Sequence, residues 1–351
     1  MRRALTLARK GWGQTAPNPM VGAVVVRDGT VVGEGWHERF GGPHAEINAI
    51  RAAGDESRGA TLYVSLEPCR HHGKTPPCTE AIAAAGIARV VIGALDPSPE
   101  AGGGASLLRT AGIDVQSGVL ERDARELNAP FFHALASDLP WTTLKIAMSM
   151  DGAISSERGT TTWLTSDESR AEVHRLRAGN DAVAVGVGTI LADDPQLTAR
   201  GEPRPRVDPA RVIFDRSLRT PLASKVVKTA RETPTIIVTT DEHSERARIL
   251  RDAGVRLVIA SDLRSALRAL RAAGVRALMV EGGARINGAV LAEKLVHRLI
   301  IFQAPVTLGP KALHAFDGAP AEVLGLLERL PVIARRRFGP DVMTTYSLAE
   351  I

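Results

Sequence analysis

The chain has 351 residues, 44% of them hydrophobic and 24% charged, which exceeds one ordinary core and has the balance of a soluble globular protein. Its net charge of +5 comes from scattered rather than blocked arginines, and aromatics make up only 4%, so no nucleic-acid partner is expected. No apolar run reaches the length of a bilayer span and no leader-type apolar segment opens the chain, so a cytoplasmic protein without membrane contact is expected.

In chain order, residues 2–11 predict a helix with Leu5, Leu7 and Ala8 facing inward. A polar turn ending in Pro17-Asn18-Pro19 leads into the apolar run Met20–Val26, expected of a strand buried on both faces. Asp28-Gly29 is a hairpin signal, and Val31–Trp36 is the returning strand. Residues 44–53 predict a helix, 61–66 a strand, 78–85 a helix closed by Gly86, and 88–93 another buried strand. This alternation predicts a layered α/β domain with its active groups beyond strand ends and at helix starts.

Three side chains stand at such places: His44, within Pro43-His44-Ala45-Glu46, and Cys69 and Cys78, the two cysteines of the chain. One imidazole and two thiolates form the ligand set of a zinc whose fourth position stays open for water, a catalytic rather than a closed arrangement. A disulfide or inert thiols are the plain alternative, disfavoured by the low cysteine content and the absence of a secretory signal. Glu46, two residues after the histidine, is placed to carry a proton from water to a departing amine, which is the chemistry of hydrolytic deamination. Eight residues, Arg70 to Pro77, separate the cysteines where the compact deaminase signature has two, so His71 and His72 are rival ligands. Asn18, held between two prolines, is either a rigid turn residue or an amide aimed at a flat heterocycle.

Asn18-Pro19-Met20-Val21-Gly22, Pro43-His44-Ala45-Glu46 and the segment Glu67-Pro68-Cys69 through Pro76-Pro77-Cys78 resemble the deaminase half of the bifunctional riboflavin biosynthesis deaminase/reductase family. The long spacer between the cysteines is that family's own form. The resemblance implies a cytidine-deaminase-like three-layer domain with zinc on His44, Cys69 and Cys78, and with Glu46 as catalytic proton carrier. It also implies that Asn18 meets the pyrimidine and Lys74 the ribose phosphate.

Residues 96–104 are rich in Pro and Gly, and a helix-compatible run over 120–135 ends the first half. Ser137-Asp138-Leu139-Pro140 then marks a boundary, giving expected domains 1–138 and 139–351. Beyond it, 141–148 predicts a strand, 167–178 a helix capped by Ser166, and 182–185 a short buried strand. Gly186-Val187-Gly188-Thr189-Ile190-Leu191 begins like a dinucleotide fingerprint, but Leu191 takes the place of the third glycine. Glu281-Gly282-Gly283, between a strand over 276–280 and a helix starting near Arg285, reads either as an anion cradle or as a packing turn.

This half is similar to the reductase partner of the same family, through Leu144–Gly152, Trp163-Leu164-Thr165-Ser166, Arg177-Ala178, Thr189–Arg200 and Glu281-Gly282-Gly283. The resemblance implies a dihydrofolate-reductase-like α/β domain that binds NADPH. It puts Ala147, Trp163, Thr189, Asp193 and the run Gly283, Ala284, Arg285, Ile286, Asn287, Gly288 and Ala289 along the cofactor. Thr161, Arg177, Leu197, Arg200 and Glu281 would face the phosphorylated sugar, with Arg177 and Arg200 on its phosphate. Gly159-Thr160-Thr161 stands where relatives often carry Gly-Glu-Ser. Arg216, after a strand over 211–215, is a candidate for the extra phosphate of NADPH, or a surface arginine. Together these imply two consecutive steps of riboflavin synthesis on small phosphorylated pyrimidines, in a homo-oligomer joined through the reductase domain. The alternatives are a nucleoside or RNA base deaminase with an unrelated appended domain, and a zinc-stabilised binding module without catalysis.

Overall fold

The computed structural model describes residues 1–72, 76–316, 319–320, 322, 325, 327 and 330–349. The described residues divide into two compact units, the first comprising residues 1–136 and the second those from 137 onward. Among the described residues no helix is long and apolar enough to cross a membrane.

The first unit runs α1 (Arg2–Ala8), β1 (Gly22–Arg27), β2 (Thr30–Trp36), α2 (Ala45–Ala53), β3 (Thr61–Leu66), α3 (Cys78–Ala84), β4 (Arg89–Ala94), α4 (Gly104–Thr110), β5 (Asp114–Gln116), α5 (Glu121–Leu127) and α6 (Ala129–Ala136). Its sheet has the order β2-β1-β3-β4-β5. The β1 strand pairs antiparallel with β2 and β3, whereas β3, β4 and β5 are mutually parallel. The hairpin turn follows from Asp28 and Gly29, both at positive φ (49° and 77°), which suits the right-handed twist of the strands it joins.

Two expectations change. The first helix is α-helical only to Ala8 and tightens into a 3-10 turn over Arg9–Gly11. The run over 120–135 is two helices broken at Asn128, whose side chain accepts from Met20 N (2.8 Å) and donates to Met20 O (2.9 Å). That amide takes over Met20 as a strand neighbour would, so β1 starts at Gly22 rather than Met20.

Small residues decide where α2 lies. Its buried residues are Ala45, Glu46, Ala49 and Ala53, the three alanines following one another turn by turn. It sits on Gly33 and Gly35 of β2 so closely that a Cβ on Gly35 would stand 2.4 Å from Ala49 N and 2.5 Å from Ala45 O. This approach fixes the first turn of α2, and with it His44 and Glu46.

The second unit runs β6 (Trp141–Met148), β7 (Ala153–Ser155), α7 (Asp167–Ala178), β8 (Ala182–Gly186), α8 (Val187–Asp193), β9 (Ala210–Phe214), α9 (Lys225–Lys228), β10 (Thr235–Thr239), α10 (Glu245–Asp252), β11 (Arg256–Ile259), α11 (Leu263–Ala272), β12 (Ala277–Val280), α12 (Ala284–Ala292), β13 (Arg298–Gln303), β14 (Leu313–His314), β15 (Val332–Phe338) and β16 (Asp341–Ser347). Nine strands form one sheet of order β11-β10-β9-β8-β12-β6-β13-β16-β15. It is parallel from β11 to β13, and β16 and β15 add an antiparallel edge. Separate apolar clusters cover it, one centred on Leu144, Leu278 and Leu291 and another on Val183, Ile213 and Ile237, so the central strands are buried on both faces.

Gly35→Ala must push α2 off β2, an overpacking fault of about 1–3 kcal/mol. Chemical denaturation of the whole chain should show that loss in the transition of the first unit. An unchanged transition would mean the helix has room to move.

Candidate active sites

In the first unit β3 delivers Glu67-Pro68-Cys69 beyond its end, and Cys78 is the first residue of α3. His44 is the N-cap of α2, so all three side chains stand at a strand end or a helix start. His44 Nδ1 lies 3.3 Å from Cys78 Sγ and 3.6 Å from Cys69 Sγ, and the three ligand atoms all fall within 4.8 Å of one another. Tetrahedral zinc with ordinary Zn–S and Zn–N bonds requires nitrogen–sulfur edges of about 3.5 Å, so the set fits the ion. His71 and His72 are both exposed, and His72 Nε2 faces Glu80 at 3.5 Å, so the rival ligands are not part of this cluster. Lys74 lies outside the described residues.

The electrostatics favour a cation. Cys69 is pulled down to about 4, first by the hydrogen bond from Cys78 and further by His44, while burial opposes the shift. Cys78 is pushed up by the same hydrogen bond between the two sulfurs and by burial, so the two thiols share one proton that a metal can replace. The backbone N–H of Cys78 donates to Cys69 Sγ at 3.4 Å. Glu46 is buried, with 3% of its surface exposed, and burial raises its carboxyl above the ordinary range.

Asn18 is half-buried, and its Nδ2 stands 3.4 Å from His37 Nε2. His37 Nδ1 donates to Pro43 O at 3.0 Å, which leaves Nε2 as the acceptor for Asn18 in the neutral ring. Burial lowers the His37 pKa and so favours that neutral form. Sequence reasoning passed over His37, which has no motif of its own. Its ring meets His44 edge-on, with 5.4 Å between centroids.

In the second unit the two glycine-rich turns are neighbours. The β8 and β12 strands are paired in the sheet, and each runs into a helix, α8 and α12. Gly186 N donates to Gly282 O (2.8 Å), and a Cβ on Gly283 would stand 3.5 Å from Thr189 Oγ1. Both helix starts therefore open side by side at the carboxyl ends of adjacent parallel strands, where open α/β sheets hold nucleotides. From the candidate cofactor run, Arg285 is exposed, whereas Asn287 is buried and donates to Ala315 O at 2.8 Å.

Beside them, Glu281 accepts two hydrogen bonds from Arg177, from Nε at 2.5 Å and Nη2 at 2.9 Å. Lys145 Nζ, on the central strand β6, lies 3.9 Å from the same carboxylate. Burial would raise the Glu281 pKa, but Arg177 and then Lys145 outweigh it and hold the carboxyl at about 2. Lys145 is itself lowered by burial, with Glu281 opposing. It falls within the motif Leu144–Gly152 but was given no role there, although a lysine inside an otherwise apolar strand is a signal in its own right.

Arg177 Nη1 also donates to Thr198 O (2.9 Å), so this guanidinium is largely committed within the protein. Arg200 is exposed, with its groups near His174 Nε2 (3.3 Å) and Gln196 Oε1 (3.3 Å). Thr161 donates to Asp193, and Trp163 is 79% exposed with the Arg170 guanidinium 5.4 Å from its ring centroid. Leu197 has a positive φ of 55° and packs its side chain in the core with Val187 and Ile190. Ala147 is half-buried on β6, and Arg216 is exposed just after β9.

The model of the RibD C-terminal domain matches residues 140–343, more than half of the chain. The chain belongs to the RibD family of riboflavin biosynthesis proteins. The cytidine and deoxycytidylate deaminase zinc-binding region matches residues 1–94. RibD of Aquifex aeolicus is 47% identical over 88% of this chain and 87% of its own length. The solved RibD of Acinetobacter baumannii superposes with a TM-score of 0.87 at 35% identity, covering 99% of this chain and 98% of that one. A deaminase/reductase of Thermotoga maritima gives 0.86 at 36% identity, covering 99% and 97%. A RibD protein is a zinc-dependent deaminase and a reductase in one chain, so the second half is no unrelated appendage.

Replacing Arg177 by Leu leaves Glu281 buried with Lys145 as the cation beside it, and should cost the second unit about 3–5 kcal/mol in denaturation at neutral pH. The wild-type contribution of Glu281 is complete above its unfolded value of 4.5 and is lost as pH falls through about 2. The gap between variant and wild type should therefore narrow on acidification, and a gap independent of pH would contradict the pairing.

Proposed function

We propose that the first unit, residues 1–138 in the sequence reading, deaminates 2,5-diamino-6-(5-phosphoribosylamino)pyrimidin-4-one. The second unit, residues 139–351, then reduces the ribosyl chain of 5-amino-6-(5-phosphoribosylamino)uracil to the ribitylamino product. The observation that carries this reading is the convergence of His44 Nδ1, Cys69 Sγ and Cys78 Sγ beside the buried carboxyl of Glu46.

Zinc bound by those three atoms supplies a water acidified enough to act as a nucleophile at neutral pH. Glu46 accepts the proton that this water gives up and returns it to the departing amino nitrogen, and its raised pKa suits a group that must hold a proton part of the time. Asn18, oriented by His37, keeps Oδ1 and its second N–H for the edge of the pyrimidine ring. Lys74 meets the ribose phosphate.

NADPH supplies the hydride for the second step. The paired starts of α8 and α12, with Thr189, Asp193 and residues 283–289, hold the cofactor, alongside Ala147 and Trp163. Arg216 receives its extra phosphate. Arg200 takes the phosphate of the substrate sugar together with Thr161 and the Leu197 backbone, while Arg177 acts through Glu281. Lys145 and Glu281 are the charged pair that faces the opening ribose, and Lys145, with its lowered pKa, is the group suited to proton transfer there. The reading extends to a cytoplasmic homo-oligomer, joined through the second unit, that acts on small phosphorylated pyrimidines and not on nucleic acid.

Glu46→Gln keeps the shape of the side chain but cannot carry the proton. Ammonia release should fall by at least about 100-fold while zinc stays near one ion per chain. A variant that loses its zinc would make Glu46 a structural support of the metal site instead.

A further inference from the structure

We infer that Glu67 and the loop between β4 and α4 form a buttress that fixes the Cys69 turn, which makes Glu67 a positioning residue for the metal site. This rests on reading His44, Cys69 and Cys78 as the zinc site.

Glu67 is buried, with 7% of its surface exposed, two residues before Cys69. Among the described residues its carboxylate faces backbone amides rather than a cation. It accepts instead from Asp96 N (Oε2, 3.0 Å) and from Ala105 N (Oε1, 2.8 Å). The first amide opens the loop and the second lies in the first turn of α4, so one side chain closes both ends of the loop onto the strand that carries the ligand. The residues on either side of Cys69 make the same connection. Arg70 N donates to Ala101 O (3.3 Å), and Arg70 Nη2 donates to Pro99 O (2.9 Å). Gly104 approaches Pro68 so closely that a Cβ there would stand 1.9 Å from Pro68 O. Residues 67, 68 and 70 thus all rest on residues 96–105, and the carbonyl of Cys69 itself accepts from Thr79 N at 3.3 Å.

A merely packed loop would not need an ionisable side chain in its interior. Burying a carboxylate is costly unless hydrogen bonds offset it, and charge-assisted bonds to backbone amides are among the stronger kind. The gain goes to the geometry of the Cys69 turn, because both bonds restrain the backbone that sets the direction of Cys69 Sγ. Outer-shell partners of this type govern how long a metal is retained.

The test uses the full chain loaded with zinc and the variant Glu67→Gln, whose amide nitrogen must face one of the two backbone donors. Zinc transfer to a coloured chelator should become about 10–100-fold faster, and in the cobalt-loaded protein the thiolate-to-metal band should weaken or shift. Reduction of supplied aminouracil with NADPH should not change. Arg70→Ala cuts a single surface tie to the same loop and should speed zinc transfer in the same direction by a smaller factor. Wild-type transfer rates and an unaltered cobalt band in a folded Glu67→Gln chain would overturn the proposal, as would wild-type rates in Arg70→Ala if Glu67→Gln does not fold. A wild-type chain that binds no zinc would instead overturn the reading of the site itself.

Discussion

The deaminase half depends on one nitrogen and two sulfurs held close enough to grip a single cation. Nothing else in that unit explains why two buried thiols should lie against an imidazole, with one of them drawn down to about 4 at the expense of the other. Their positions come from three separate pieces of chain, brought together by the packing of α2 on the glycines of β2, the end of β3 and the start of α3. Small residues allow the approach, and the strand order turns it into a site.

The reductase half rests on a different constraint, a buried carboxylate matched by cations. Glu281 follows β12 directly and shares its turn with Gly282 and Gly283, so the strand end beside the starts of α8 and α12 also presents the charged group. Arg177 arrives from α7 and Lys145 from β6. A group so strongly held stays ionised through the physiological range, giving that strand end a fixed negative point beside a lysine whose own proton is loosened.

The sequence was most legible where chemistry and local pattern coincide. Strands over 61–66 and 141–148, the Ser166-capped helix and the His-Cys-Cys set all stand where spacing and capping put them. It was least legible where one side chain does a distant job. The run over 120–135 contains Pro130, which suits the first turn of a new helix, but the break itself falls at Asn128, whose amide is engaged by Met20, 108 residues away. The segment over 96–104 reads as loop filler by composition, yet it leads into α4 and backs the Cys69 turn. His37 lacked any motif and Lys145 had no role assigned within Leu144–Gly152, and only tertiary packing gives them partners. Leu197 lies inside a recognisable motif, but its side chain faces the core, a direction that no one-dimensional pattern encodes.

The central claim is that one half works through a metal held by His44, Cys69 and Cys78 and the other half does not. Exhaustive removal of zinc from the intact chain, followed by separate assays of ammonia release and of NADPH oxidation with supplied aminouracil, tests it directly. The account predicts loss of the first activity, its return on adding zinc, and an undisturbed second activity. Ammonia release that persists in the metal-free chain would contradict it.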